Sequence, residues 1–182
     1  MAKFFNTLTK DQKIFIRRQK LFFTATAPTQ GRINLSPKGM DTLRILDDNT
    51  IAYLDLTGSG NETAAHITQT GRMTIMLCAF EGAPLILRLY GQGEVILPQD
   101  QRWPSLIKQF ELIPGTRQII KLNIDTIQTS CGYSVPFYQY TGERDTLVRW
   151  AEKKGPQGLL AYHKEKNQQS IDGAEIPLDY LD

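Results

Sequence analysis

A chain of 182 residues, 41% hydrophobic and 22% charged, is the size of one domain and buries a core without disulfide or metal staples. The net charge is only +2 and the 21 basic residues are spread along the chain, so nothing calls for nucleic acid. Cys78 and Cys131 lie far apart without CxxC spacing, which argues against a zinc site or a disulfide framework and reads as two reduced thiols in a cytoplasmic protein.

LFFTATA near the start is short, follows a charged helix and leads into a hairpin pattern, so it does not read as a signal peptide, and no apolar run approaches the roughly 20 residues that span a bilayer. Thr9 and Gln12 form a capping box for a short helix over KDQKIFIRRQK, whose cluster Lys13, Arg17, Arg18 and Lys20 reads as a solvated face. Residues 21–27 (LFFTATA) and 32–38 (RINLSPK) read as a hairpin closed by a PTQG turn. In its second strand Arg32, Asn34 and Ser36 share one face, facing either solvent or a ligand. Residues 42–46 (TLRIL) and 50–56 (TIAYLDL) form the next hairpin.

The stretch LDLTGSGNETAAHI, residues 54–67, passes from strand through a small polar loop into a helix. Ser59 and Glu62 fit a second capping box, with a helix over 60–70 stopped by Gly71. A helix start keeps unpaired N–H groups and a partial positive charge, and Gly58 and Gly60 would let an anion approach it. The same residues also suit an ordinary capped helix, and neither a P-loop nor a dinucleotide fingerprint is present.

Residues 72–80 (RMTIMLCAF) and 85–97 (LILRLYGQGEVIL) are the most apolar strands. Arg88 lies within the second of them, on a strand expected to be central, where it needs an anionic partner, a carboxylate or a phosphate. Gly91 and Gly93 predict a bulge or bend. Residues 101–111 read as a helix and 117–129 as a long strand whose faces are Ile119, Lys121, Asn123 and Asp125 against Ile120, Leu122 and Ile124. SCGYSVP is irregular, 143–154 and 159–166 are helices separated by Gly155-Pro156, and 167–182 is an extended polar tail.

His66 and His163 have no metal-ligand spacing, and HExxH, GxSxG and Cys-His-Asn patterns do not occur. His66 reads as a helix residue satisfied by a neighbour. The carboxylates form no acid–base pair, so no catalytic residue is singled out, and any hard chemistry falls to a cofactor.

The hairpin FFTATAPTQGRINLSPKG, the strand-loop-helix IAYLDLTGSGNETAAHI, and the segments TGRMTIMLCAF, LILRLYGQGEV and IQTSCGYSVP together resemble the pyridoxamine 5′-phosphate oxidase-like family of FMN-binding split barrels. The resemblance runs from about Leu21 to Arg144. It implies a mainly β fold with peripheral helices, an antiparallel split barrel in one domain, and a homodimer with FMN sites at the subunit interface. It places the flavin phosphate among Arg32, Asn34, Ser36, Ser59, Asn61, Glu62 and Thr63, with Lys38 and Arg88 as further cations. Tyr133, reaching over from the partner subunit, would cover the ring. Where the oxidase has Arg-Lys at the helix start this chain has Asn61-Glu62, and TGERD replaces the late substrate motif, which argues against oxidation of pyridoxamine phosphate itself. The implied function is that of an FMN-dependent oxidoreductase acting on a small substrate or electron partner. The alternatives are a flavin, deazaflavin or haem binding or sensing module on the same barrel, and a structural dimer with an empty cleft.

Overall fold

The apolar strand runs pair into one antiparallel sheet that curls into a half-barrel, described by a computed structural model over residues 2–176. Among these residues the strands are β1 (Lys3–Phe5), β2 (Phe22–Thr26), β3 (Asn34–Lys38), β4 (Leu43–Ile45), β5 (Thr50–Leu56), β6 (Arg72–Cys78), β7 (Ile86–Ile96) and β8 (Thr116–Ser130). Their order is β3-β2-β6-β7-β8-β5-β4, with β1 added to β8. Four α-helices accompany the described sheet: α1 (Lys10–Arg18), α2 (Glu62–Thr70), the short α3 (Trp103–Leu106) and α4 (Thr146–Lys166).

The expected strands are all present. β1 went unread because three residues, KFF, carry no period. The expected helix over 101–111 shrinks to α3 and a 3-10 turn at Ile107–Gln109. α1 begins with the expected capping box, Thr9 Oγ1 accepting the Gln12 N–H at 3.3 Å and Gln12 Oε1 the Thr9 N–H at 2.9 Å. α4 runs through Pro156 with a kink at Gly155, where the break was expected.

Period-2 alternation aims Leu87, Leu89, Ile75, Leu77, Ile120 and Leu122 into one core, each at most 1% exposed, joined by Tyr53 and Phe22 edge to face at 5.5 Å. Full burial of each large aliphatic stabilises by about 1.5–3 kcal/mol. β5 and β8 bury both faces, since Ala52, Leu54 and Ile119 belong to a second core under α3 with Phe110 and Ile96. The alternating faces expected for β8 hold, yet Ile119 is as buried as Ile120.

The expected irregularity of β7 falls at Gly91. The pairing with β8 slips between Tyr90 and Gly91, and a Cβ on Gly91 would overlap the Asn123 carbonyl. The face of the sheet turned away from the core remains half-exposed. Its cross-strand rows run Leu35, Ala25, Thr74, Tyr90, Thr126 and Pro37, Phe23, Met76, Arg88, Gln128.

Candidate functional site

The loop between β5 and α2 is held from beneath by a buried ionic cluster. β8 slips against β5 between Asp55 and Leu56, so that Asp55 faces Gln118 and Leu56 faces Thr116. The extra residue is Arg117, and the bulge turns it to the same side as its neighbour. Arg117 Nε and Gln118 Nε2 each donate to Asp55 Oδ2 at 2.8 Å, while Lys38 Nζ donates to Oδ1 at 2.9 Å. Asp55 is 1% exposed. Burial alone would raise its pKa, but Arg117 and then Lys38 outweigh it and hold the carboxyl far below the usual range. The same burial, with the Asp55 charge, pushes the Tyr53 phenol well above its ordinary value.

From that cluster the bonds reach the loop. Arg117 Nη1 donates at 2.9 Å to both the Gly60 carbonyl and Asn167 Oδ1, and Gln118 Nε2 donates to Asn61 Oδ1 at 2.7 Å. The Thr57 hydroxyl donates to the Gly115 carbonyl at 2.8 Å and lies 2.7 Å from His163 Nε2. Burial, and then Arg117, push His163 down to about 4.

Above the loop lies a cleft of about 540 Å³ between β3, the start of α2 and residues 166–171. Arg32, Asn34, Ser59, Glu62, His66 and Lys166 supply its polar wall. Asn34 is positioned by its neighbours: its Nδ2 donates to Thr63 Oγ1 at 3.1 Å and its Oδ1 accepts from Ser36 at 3.0 Å. His66 is buried, Nδ1 lying 3.0 Å from Thr26 Oγ1 and Nε2 3.8 Å from Glu62 Oε2, the satisfied helix residue expected.

The structure corrects the expected second capping box. α2 begins at Glu62, its N-cap is Asn61, and no side chain caps it. Glu62 does not reach back to the loop because Oε1 accepts the Ile171 N–H at 2.8 Å, whereas the buried Oε2 has no hydrogen-bond partner. Gly71 is the expected stop.

Of the residues expected at a phosphate, Arg32, Asn34, Ser59 and Glu62 line the cleft, and Ser36 and Thr63 stand behind Asn34. Lys38 and Asn61 are engaged by the buried cluster, although the Asn61 Nδ2 is buried without a partner. Arg88 faces the half-exposed side of β7 and donates to Ser130 Oγ at 3.1 Å; no carboxylate of the described residues lies within ion-pair distance. Tyr133 is 81% exposed on the irregular segment after β8. Cys78 is buried, Cys131 exposed, and both are free. Sequence reading missed Asp55, Arg117, Gln118 and Asn167. A signal existed for the first two, opposite charges each set in an apolar strand run, where either alone would be costly.

Residues 8–131 match the profile of the pyridoxamine 5′-phosphate oxidase family. The chain belongs to that family. The pyridoxamine 5′-phosphate oxidase family protein ustO of Aspergillus flavus is 36% identical over 191 residues, covering 95% of this chain and 77% of its own. HupZ of Group A Streptococcus superposes with a TM-score of 0.53 at 21% identity, over 66% of this chain and 91% of its own. A putative pyridoxamine 5′-phosphate oxidase from Lactobacillus delbrueckii gives 0.55 at 20% identity, over 68% and 94%. These two structures share the oxidase-family fold with this chain. The matched family region ends at Cys131, so α4 and the residues that roof the cleft lie beyond it. No helix among the described residues is long and apolar enough to cross a membrane.

Proposed function

We propose that the chain is a flavoprotein that binds FMN in the cleft between β3 and α2 and works as an oxidoreductase on a small substrate or electron partner. The observation that carries this reading is the convergence of Arg32, Asn34, Ser59 and Lys166 on one cleft at a helix start within an oxidase-family barrel. A guanidinium, a hydroxyl and an ammonium are donors suited to a ribityl chain ending in a phosphate, and this donor chemistry fits FMN. Arg32 and Lys166 would hold the phosphate, with Asn34 fixed by Thr63 and Ser36 and with Ser59 on the open side of the loop.

A bound flavin would supply hydride and electron transfer at its ring. The protein's part is to bind, orient and shield. Lys38 and Arg117 serve indirectly, keeping Asp55 ionised and the loop in place. The half-exposed face carrying Arg88, Tyr90 and Met76 suits a second copy of this chain, whose Tyr133 would reach toward the ring; a homodimer is part of the proposal.

The test is a visible absorption spectrum of freshly purified protein, followed by heat release and identification of the chromophore. The expected result is FMN on release and, in the intact protein, a bound flavin that NAD(P)H reduces and an acceptor re-oxidises. Bound flavin without turnover would leave a carrier, and a colourless protein that takes up no added FMN would overturn the reading.

A further inference from the structure

Residues 167–176 fold into a hairpin fastened at both ends, with a Gln169–Glu175 bridge. At one end Asn167 is fully buried, accepting from Arg117 at 2.9 Å and donating to the Gly58 carbonyl at 3.2 Å. At the other, Ile176 is 5% exposed against Ala64, Ala65, Val95 and Leu97. Ser170, also buried, closes the turn: its N–H donates to the Ala174 carbonyl at 2.9 Å and its hydroxyl accepts the Ala174 N–H at 3.0 Å. The tail expected to be extended is thus a strap, and the remaining residues, 177–182, lie outside the described ones.

The strap's tip sets a carboxylate on Arg32, one of the two cations of the cleft wall. Asp172 accepts the Arg32 backbone N–H at 2.7 Å and pairs with the Arg32 guanidinium. Gly31 makes room for it: φ there is +120°, and a Cβ would lie 2.5 Å from Asp172 Oδ2. Beside it, the Ile171 N–H is held by Glu62. A backbone N–H and a guanidinium converging on one acidic group is how a phosphate is held.

We propose that Asp172 is a built-in surrogate for the ligand's phosphate. The strap must lift its tip from Arg32 before a phosphorylated flavin seats, and with the tip in place the cleft favours a flavin ending in hydroxyls over one ending in a phosphate. This inference rests on the flavin reading of the cleft. Glu62 lines the cleft and Asp172 already occupies the Arg32 N–H and guanidinium, so a phosphate arriving at Arg32 meets like charge unless it displaces Asp172.

The test is calorimetric titration of the wild-type protein, Asp172→Asn and Asp172→Asn/Arg32→Ala with FMN, riboflavin and inorganic pyrophosphate. Asp172→Asn is expected to bind FMN about tenfold or more tightly than wild type, with riboflavin unchanged within about twofold and the gain abolished by Arg32→Ala. Equal FMN affinity in wild type and Asp172→Asn overturns the proposal. If no protein binds either flavin while Asp172→Asn still gains about tenfold for pyrophosphate, the surrogate stands and the flavin reading falls. If nothing binds to any of them, both fall. Hydrogen exchange on the wild-type protein checks the same point without a substitution: saturating FMN should speed exchange at the Ile171 amide, and an unchanged rate with FMN bound overturns displacement.

Discussion

Two ionic clusters meet at the first turn of α2, and they differ in almost everything but composition. Below the loop, Asp55 and Arg117 have side chains 1% and 4% exposed, and Lys38, at 23%, is the partner that still reaches water. Above it, Arg32 and Asp172 are 68% and 21% exposed, and the Arg32 guanidinium sits largely in solvent. Desolvation decides what each can do. In the lower cluster a lost partner strands a buried charge, so the cluster is fixed; in the upper one water can replace a partner, so the ions can be exchanged for a ligand.

Removing Asp55 should break the lower cluster with the largest effect. Asp55→Ala leaves Arg117 and Lys38 without their carboxylate and should cost about 3–5 kcal/mol, read as a lowered denaturation midpoint in urea. A loss below about 1 kcal/mol would mean that the cluster is wetter than its burial indicates.

Acid probes the same cluster through His163. Its folded pKa, pushed down to about 4, lies below the ordinary 6.5, so the unfolded chain binds more protons between those values. Stability is therefore fully present above about pH 6.5 and declines as pH falls toward 4, with a slope approaching one proton, and His163→Gln should remove that part of the slope. Asp55, whose folded pKa is depressed, adds a further loss as pH falls below the ordinary carboxylate range.

The upper cluster should respond in binding instead of folding. Arg32→Ala is expected to weaken flavin retention by about tenfold while moving stability by less than about 1 kcal/mol, as equilibrium dialysis and urea unfolding would report. Unfolding caused by that change would erase the contrast. Smallest of all, Arg149→Ala removes a pair with Asp145 in which both side chains are about 70% exposed, and the expected change is within about 0.5 kcal/mol.

Much of the barrel was legible because strands announce themselves by period and punctuation, and the first helix by its capping box. The cleft was legible in part: Arg32, Asn34 and Ser59 were placed by one strand face and one loop. Lys38 and Asn61 read as ligand groups for the same reason, and the structure bonds them to Asp55 and Gln118, beside a bulge at Arg117 that is invisible in any alternation pattern. Glu62 read as a cap because its natural partner was three residues away. The partner it has, Ile171, is 109 residues away, and no local rule reaches that far.

That separation also sets an order in time. Asp172 follows Arg32 by 140 residues, and β8, the last of the described strands, ends at Ser130. A ribosome adding about 5–20 residues per second needs roughly 2–8 s to pass from the end of the sheet to the strap. During those seconds Arg32 and Glu62 have neither Asp172 nor Ile171 to hold, so the strap's contacts are the last that this corner of the molecule can make.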